Sequence, residues 1–385
     1  MSIELKREYL QVVRKRYANA GKREKSRILT DFCQDFGYSR KYAIRILNGT
    51  QDVLTRKKPG RKPKYGAADV FHLRRIWEAT GKMCSKSLAQ ALGLWLPFYD
   101  HPLLTEAVRG KLIKVSPSTI DRLLRQYRCR KGLTSTRSAS NLMKSKIPIE
   151  LLRGEIKAPG FIEADTVAHC GNALLGQFVN SLTATDLCTG WTENRATWGK
   201  DAQGMKNALR DIEAALPFSL HTLGSDNGSE FLNQTVIDHF HERSKPVRVV
   251  RGRPYRKNDN AHVEQKNWTH VRELFGYSRI DNPFLVAMMN DIYELFWNPL
   301  KNFFVPCQKL IEKTRIGGRV AKKYDKPKTP YQRLLECTDL TKEAKEHLKQ
   351  RYERLNPFQL RAGLEQALER FKLQQKKYQV GDLAA

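Results

Sequence analysis

Apolar residues recur every three or four positions through the first third of the chain, which is the spacing of one helix face. The spacing predicts two groups of helices on either side of a short basic stretch. In the second group, Ser116 is a natural N-cap and Pro117 takes the favoured first helical position. The predicted helices cover 4–17, 24–36, 40–47, 69–80, 85–94, 104–112 and 117–127.

From residue 160 the pattern changes to short apolar runs separated by turn residues, which is typical of strands. The resulting order is three strands, a helix, a strand, a helix, a strand and a helix, and this order indicates an α/β domain. The predicted strands cover 161–167, 177–185, 190–197, 219–223 and 246–250, and the helices cover 201–216, 231–242, a run containing residue 264, 282–297, 341–355 and 357–377.

Changes in composition divide the chain into six segments. Pro, Gly and cations dominate the first linker, and a polar, basic stretch forms the second. The predicted segments are a helix-turn-helix domain (1–53), a basic linker (54–66), a second helical domain (67–130), a linker (131–158), an α/β domain (159–300) and a basic C-terminal region (301–385).

Each of the leading segments has a DNA-binding interpretation and a plainer one. The first helices form a helix-turn-helix pattern, although any small three-helix bundle would give it too. The linker motif P-G-R-K-P resembles an AT-hook, which lies in a narrow minor groove, but short basic linkers are common. The basic helix after Pro117 is either a recognition helix or a structural helix with exposed arginines. The candidate contacts are Arg40, Lys41, Arg45, Arg61, Lys62, Arg122 and Arg125.

Charge strengthens the nucleic-acid interpretation. The 385 residues include 69 Lys plus Arg against 40 Asp plus Glu, a net charge of +29, and the pI is about 9.9. Such an excess favours a polyanionic partner. Residues 1–66 contain 18 basic and 6 acidic residues, and residues 300–385 contain 20 and 10. We expect both ends to contact nucleic acid, although the mixed signs of the C-terminal tail also suit a solvated helix.

Other classes of protein are disfavoured. The seven cysteines are scattered without a C-x-x-C pair, so we expect reduced thiols in a cytoplasmic protein and no zinc finger. The first residues lack an apolar signal-peptide core, and no run of about eighteen uncharged apolar residues occurs. We therefore expect neither secretion nor a membrane span.

Three acids of the α/β domain are the candidate chemical groups. Asp165 lies in the first strand, Asp226 follows the fourth strand in the turn sequence S-D-N-G, and Glu264 follows the N-cap types Asn258, Asp259 and Asn260 in the first or second turn of a helix. Each acid alone has an ordinary explanation as a turn or surface residue. Their shared occurrence on strand, strand end and following helix is what indicates a site.

These motifs resemble those of the DDE transposase and retroviral-type integrase family, in its bacterial insertion-sequence branch. The matching residues are D-T at Asp165, D-N-G-S-E-F at Asp226, and K-N-D-N-A-H-V-E-Q-K-N around Glu264. The resemblance covers about residues 160–300. It implies an RNase H-like mixed sheet flanked by helices, with Asp165, Asp226 and Glu264 binding two Mg²⁺ ions, which Mn²⁺ could replace.

The implied activity is that of a transposase: it binds the ends of its element, cleaves DNA phosphodiesters and transfers the freed 3′-hydroxyls into double-stranded target DNA. We expect a homo-oligomer that holds two ends. A nuclease of the same fold without strand transfer, and a DNA-binding regulator with a decayed site, are the alternatives. The chain departs from retroviral integrases by lacking their zinc module and by placing Trp268 and Val271 where basic residues stand. Contacts to the cut DNA are therefore expected from residues among Arg253, Arg256, Lys257, Lys266 and Arg272.

Overall fold

The computed structural model describes residues 3–49, 63–128, 158–199, 201–225, 234–251, 266–316 and 319–381. The chain divides into two compact units, Met1–Lys64 and Tyr65–Ala385. The basic linker with Arg61 and Lys62 lies outside the described residues, as do the second linker and residues 252–265.

The first unit is a bundle of three helices. Gly37 ends the second helix with a φ of 66°, a left-handed conformation that favours glycine and turns the chain toward Ser39. Leu10, Phe32 and Ile46 meet in its core. The three predicted helices are confirmed, and their DNA-binding role stays a prediction. Their bounds are α1 (Ile3–Asn19), α2 (Lys22–Phe36) and α3 (Arg40–Asn48).

The second unit begins with four helices close to their predicted positions. The Ser116 hydroxyl accepts a hydrogen bond from the Thr119 amide at 3.3 Å, which is the N-cap expected from the sequence. The helix that follows is shorter than predicted and ends in a turn of 3₁₀ helix, Arg125–Tyr127. The helices are α4 (Ala67–Ala79), α5 (Ser85–Trp95), α6 (Glu106–Ile113) and α7 (Pro117–Leu124).

A five-stranded mixed sheet forms the centre of this unit, as the α/β pattern predicts. Its order is β3-β2-β1-β4-β5, with β2 antiparallel to both β1 and β3, and with β4 and β5 parallel to β1. Two helices connect its later strands along the chain: α8 (Ala202–Ala215) lies between the third and fourth strands, and α9 (Gln234–His241) lies between the fourth and fifth. The strands are β1 (Phe161–Ala168), β2 (Val179–Asp186), β3 (Thr192–Trp198), β4 (Thr222–Ser225) and β5 (Arg248–Arg251).

The fourth strand begins three residues later than predicted. The Gly160 carbonyl accepts hydrogen bonds from the amides of His221 and Thr222, so pairing with β1 starts there. Gly160 has a φ of 110°, and a Cβ at this position would approach the Ser219 carbonyl to 2.5 Å. Glycine is therefore required for the close approach that sets the register of β4.

Helices cover both faces of the sheet. On one face Leu182 packs with Leu209 of α8 and Phe240 of α9. The opposite face shares its core with a long helical run that changes from α to π and back. That run consists of α11 (Phe284–Asp291), a π-helical segment (Ile292–Trp297) and α12 (Asn298–Phe304), and it is preceded by a π-helical segment (Asn267–Arg272) leading into α10 (Glu273–Phe275).

The long helical run also pairs with the outer edge of β3. Asn302 accepts from the Thr192 amide at 2.9 Å and donates to the Thr192 carbonyl at 2.9 Å. Asn290 makes the same pair of bonds with Ala196, at 2.7 and 3.2 Å. The two side chains satisfy backbone groups that an edge strand would otherwise leave unpaired. In a regular α-helix a spacing of twelve residues would leave the two asparagines about 120° apart. The π-helical segment Ile292–Trp297 lies between them and turns less per residue, which brings both side chains toward β3.

The C-terminal region is structured. Two strands form an antiparallel pair, and three helices follow. Trp95 of α5 and Phe371 belong to the same hydrophobic core as Tyr293. Helices α4–α7, the sheet and the C-terminal helices therefore share one core. The elements are β6 (Leu310–Ile316), β7 (Arg319–Tyr324), α13 (Pro330–Glu336), α14 (Lys342–Glu353) and α15 (Pro357–Gly381). No helix in the described ranges is long and apolar enough to cross a membrane.

Candidate functional site

Asp165 begins a row of polar side chains that crosses three strands. Antiparallel register places Asp165 of β1 opposite Thr183 of β2, and Thr183 opposite Asn194 of β3. Asn194 Nδ2 donates to Thr183 Oγ1 at 2.9 Å. Residues directly opposite in a sheet point to the same face. Polar groups thus replace the apolar core along this line.

The π-helical segment Asn267–Arg272 lies across this row. Asn267 Nδ2 donates to Asp165 Oδ2 at 2.6 Å, and His270 Nδ1 lies 3.3 Å from Asn194 Oδ1. Burial lowers the pKa of His270 well below its ordinary value, so the ring is neutral. Its Nδ1–H donates to the amide oxygen of Asn194. One helical segment is therefore fixed at both ends of the row, and π-helical turns are frequent at functional sites.

Asp165 is half-buried at the sheet and accepts a second hydrogen bond, from the Thr166 amide to its Oδ1 at 2.7 Å. Two described donors thus orient the two carboxylate oxygens. A carboxylate held in one orientation is a suitable ligand for a hard cation.

The other two predicted acids lie outside the described residues, but their neighbours in the chain converge on Asp165. Parallel pairing sets Ser225, the last residue of β4, opposite Ala164, and Asp226 is the next residue. Glu264 precedes Asn267 by three residues. The chain just before Asp226 is therefore paired with Ala164, the neighbour of Asp165. The chain just after Glu264 is hydrogen-bonded to the Asp165 carboxylate.

The described groups around Asp165 fit a hard metal ion. Among the described residues, the buried Oδ1 of Asn267, on the amide that donates to Asp165, has no hydrogen-bond partner. Buried polar oxygens are normally satisfied, and carboxylate, amide and hydroxyl oxygens are the ligand types of Mg²⁺. Within the described part, no three His, Cys, Asp or Glu side chains form a group that could hold a metal by themselves.

Asp186, the last residue of β2, has a structural role. Its carboxylate accepts from the amides of Gly160 at 3.0 Å and Thr189 at 2.7 Å, and from the Thr189 hydroxyl at 2.7 Å. Burial raises its pKa although these bonds act in the opposite direction. The side chain joins the start of β1 to the turn after β2. Glu163, another acid of β1, is also buried.

A second buried network lies next to the row and gave no signal in the sequence. His169 Nε2 lies 2.8 Å from Ser181 Oγ, to which the Tyr293 hydroxyl donates at 2.9 Å. Burial, with the nearby Arg272 guanidinium, lowers the pKa of His169 to about 3. Arg272 donates to the Ala168 carbonyl at 3.0 Å and so ties the π-helical segment to the end of β1.

Two exposed aromatic side chains lie next to Asn267, the residue that donates to Asp165. Trp268 follows Asn267 directly, and its ring centroid lies 6.3 Å from that of Tyr277. The Arg272 guanidinium lies 4.7 Å from the Tyr277 ring. The sequence singled out Trp268 only as the replacement for a basic residue; its exposure beside the acid required the structure.

The predicted DNA contacts fall into three groups. The described cations of the helical segments are exposed: Arg40, Lys41, Arg45, Arg122 and Arg125. Lys266 is half-buried directly before Asn267, and burial lowers the pKa of its ammonium group. The remaining cations lie outside the described residues: Arg61, Lys62, Arg253, Arg256 and Lys257.

Fold and site together define a mixed α/β protein with an oriented carboxylate beneath a π-helical segment at the centre of its sheet. No protein-family model matches the chain. The chain is 35% identical over 343 residues to the uncharacterized protein y4rM of Sinorhizobium fredii, covering 86% of this chain and 96% of the relative. It therefore belongs to the family of y4rM. Among solved structures, it is similar to the catalytic core domain of BIV integrase, with 16% identity over 50% of this chain and 98% of that chain and a TM-score of 0.29.

Proposed function

We propose that this chain is a DNA transposase of the DDE type. Asp165, Asp226 and Glu264 would hold two Mg²⁺ ions, for which Mn²⁺ could substitute. The protein binds the ends of its element, cleaves phosphodiesters there and joins the freed 3′-hydroxyls to target DNA. It acts in the bacterial cytoplasm on the chromosome.

The observation that carries this proposal is the hydrogen bond from Asn267 to Asp165. It fixes the chain three residues after Glu264 onto the first acid of the sheet. Parallel pairing of Ser225 with Ala164 brings the chain before Asp226 to the same place. Three acids separated by 60 and 37 residues in sequence thus belong to segments that converge on one carboxylate. A mixed sheet flanked by helices is the architecture that the motif resemblance implies.

The residues of the site divide between holding and supporting roles. Bound divalent ions would activate the attacking hydroxyl and stabilise the leaving oxygen. Asn267 and the Thr166 amide orient the Asp165 carboxylate. The neutral His270 fixes the segment that carries Asn267, through Asn194. Trp268 and Tyr277 present aromatic faces on which DNA bases can stack.

The charge of the chain supports double-stranded DNA as the partner. A net charge of +29 favours a polyanion. The exposed Arg40, Lys41 and Arg45 on α3 suit contact with phosphates or base edges. Joining two element ends to one target requires two active sites, so we propose a homo-oligomer on DNA.

The test uses the full-length chain with Mg²⁺, a supercoiled plasmid and duplexes from the inverted repeats that flank its gene. Nicked ends and plasmid-joined products are measured on denaturing gels. We expect both products from the wild type and neither from Asp226→Asn. Asp211→Asn, the same chemical change at an exposed acid of α8, is the matched control and should keep full activity.

Each alternative has its own result. Cleavage without joined products would favour a metal-dependent nuclease of the same fold. Specific binding of the ends with neither cleavage nor joining would favour a DNA-binding regulator. Equal activity of Asp226→Asn and the wild type would contradict the assignment of the site.

A further inference from the structure

The strands β6 and β7 form a two-stranded ribbon that is exposed on both faces. Of its residues with described side chains, all eight are exposed: Leu310, Ile311, Glu312, Thr314, Ala321, Lys322, Lys323 and Tyr324. The described side chains of the ribbon therefore take no part in a hydrophobic core. Ile311 is 63% exposed and Tyr324 46% exposed. A lone pair of strands is marginally stable in water, so its persistence needs another cause.

The base of the ribbon supplies that cause through Asp325. Its amide donates to the Lys309 carbonyl at 2.9 Å, and its Oδ1 accepts from the Lys309 amide at 2.6 Å. Its Oδ2 accepts from Arg333 Nη1 at 2.6 Å, and Arg333 Nη2 donates to the Cys307 carbonyl at 3.0 Å. These bonds close the ribbon where it leaves the core and attach it to α13, so it projects as an anchored arm.

The ribbon carries more positive charge than its own contacts neutralise. Residues 310–324 include five basic residues and one acidic residue, a net charge of +4. Register places Glu312 opposite Lys323, but it places Lys313 opposite Lys322. Like charges directly opposite destabilise a strand pair. A polyanion lying along the ribbon would remove that repulsion.

The dimensions of the ribbon select the kind of polyanion. Six paired residues extend about 20 Å at about 3.4 Å per residue. The major groove of B-DNA is about 12 Å wide and admits a two-stranded ribbon, whereas the minor groove, at about 6 Å, admits one only where the DNA is deformed. Apolar side chains such as Ile311 and Tyr324 can contact base edges and methyl groups while the lysines reach phosphates.

The arm is attached close to the acid site. Lys309 Nζ donates to the Leu187 carbonyl at 2.8 Å, in the turn after β2. Asp186, the last residue of β2, is three residues from Thr183, which lies opposite Asp165. That separation is about 10 Å along the strand. One duplex can therefore pass both the arm and Asp165.

We propose that the ribbon of β6 and β7 is a DNA-binding arm that enters the major groove of the duplex processed at Asp165. This inference rests on the proposed function for the identity of that duplex. The arm adds a contact that none of the predicted recognition helices provides, and it sets the position of the cut relative to the bound groove.

The test uses the double variant Lys322→Ala/Lys323→Ala of β7. Its matched control is Lys376→Ala/Lys377→Ala, which also removes two consecutive exposed lysines, but from α15. Affinity of the full-length protein for an element-end duplex is measured from 50 to 200 mM KCl. Dimethyl sulfate reports protection of guanine N7 in the major groove and adenine N3 in the minor groove. Thermal unfolding of each variant, and of Lys322→Gln/Lys323→Gln, verifies that the fold is intact.

We expect the ribbon variants to bind on the order of tenfold more weakly at about 0.1 M salt, with a salt slope smaller by about 1.8, since each lost phosphate contact removes about 0.9. They should also lose a patch of guanine N7 protection that the α15 control keeps. Unchanged guanine N7 protection, or an equal loss of DNA affinity in both double variants, would contradict the proposal of a DNA-binding arm while leaving the proposed function intact. Failure of the wild type to bind or cut any duplex would overturn both.

Discussion

Replacing Asn267 with alanine removes the Nδ2 donor that lies 2.6 Å from Asp165 Oδ2. A hydrogen bond to a charged group contributes about 1.5–3 kcal/mol. At about 1.36 kcal/mol per factor of ten, this corresponds to about 10- to 150-fold. Loss of a residue that orients a metal ligand typically costs about 10- to 100-fold in metal affinity. We therefore expect the Mg²⁺ concentration for half-maximal cleavage to rise by about 10- to 100-fold.

The assay is the initial rate of end cleavage as a function of Mg²⁺ concentration. Because Asp165 itself is intact, the rate at saturating Mg²⁺ should return to within a few-fold of the wild type. Asn207→Ala, the same change at an exposed position of α8, is the control. An unchanged Mg²⁺ midpoint in Asn267→Ala would refute the reasoning. A loss of rate that no Mg²⁺ concentration restores would show that Asn267 does more than orient the carboxylate.

Three further predictions concern the supports of the site. The folded protein keeps His169 neutral down to about pH 3 while the unfolded chain protonates near pH 6.5, so stability is lost as pH falls. Denaturant titrations at pH 7, 6 and 5 measure the free energy of unfolding. Below pH 6.5 the wild type should lose up to about 1.4 kcal/mol more per pH unit than His169→Gln does. Asn302→Leu leaves the Thr192 backbone unpaired and should lower the free energy of unfolding by about 2–4 kcal/mol; a change below about 0.5 kcal/mol would contradict the edge pairing. Arg279 donates to four carbonyls of the loop that exposes Leu174, so Arg279→Ala should speed thermolysin cleavage there, and an unchanged rate would contradict that role.

The elements of the sheet were predictable because burial dictates their sequence pattern. The helix α8 follows from its apolar face and from Asp201, whose carboxylate accepts from the Gly204 amide at 2.7 Å. The strand β4 was placed too early because its start depends on pairing with β1 beyond Gly160. Local pattern carries no information about such a partner.

The ribbon, and the π-helical geometry of the predicted helix at Asn267, were missed for a different reason. Alternation of apolar and polar residues indicates a strand with one buried face, and every described side chain of the ribbon is exposed. The π-helical turn at Asn267 depends on contacts with Asp165 and, through His270, with Asn194, which are distant in sequence. Likewise, the common core of Trp95, Tyr293 and Phe371 joins segments that composition alone separated. Thr166 and Asn267 stand in the same motifs as the acids, but their hydrogen bonds to Asp165 required the structure.

The central claim is that Asp165 ligates the catalytic metal beside Asp226 and Glu264. The direct measurement is end cleavage by Asp165→Cys in Mg²⁺ and in Mn²⁺, because Mn²⁺ accepts a sulfur ligand more readily than Mg²⁺ does. We predict that the variant is inactive in Mg²⁺ and regains cleavage in Mn²⁺, while Asp165→Asn stays inactive in both. Full activity of Asp165→Cys in Mg²⁺, or no recovery in Mn²⁺ by a folded variant, would contradict the account.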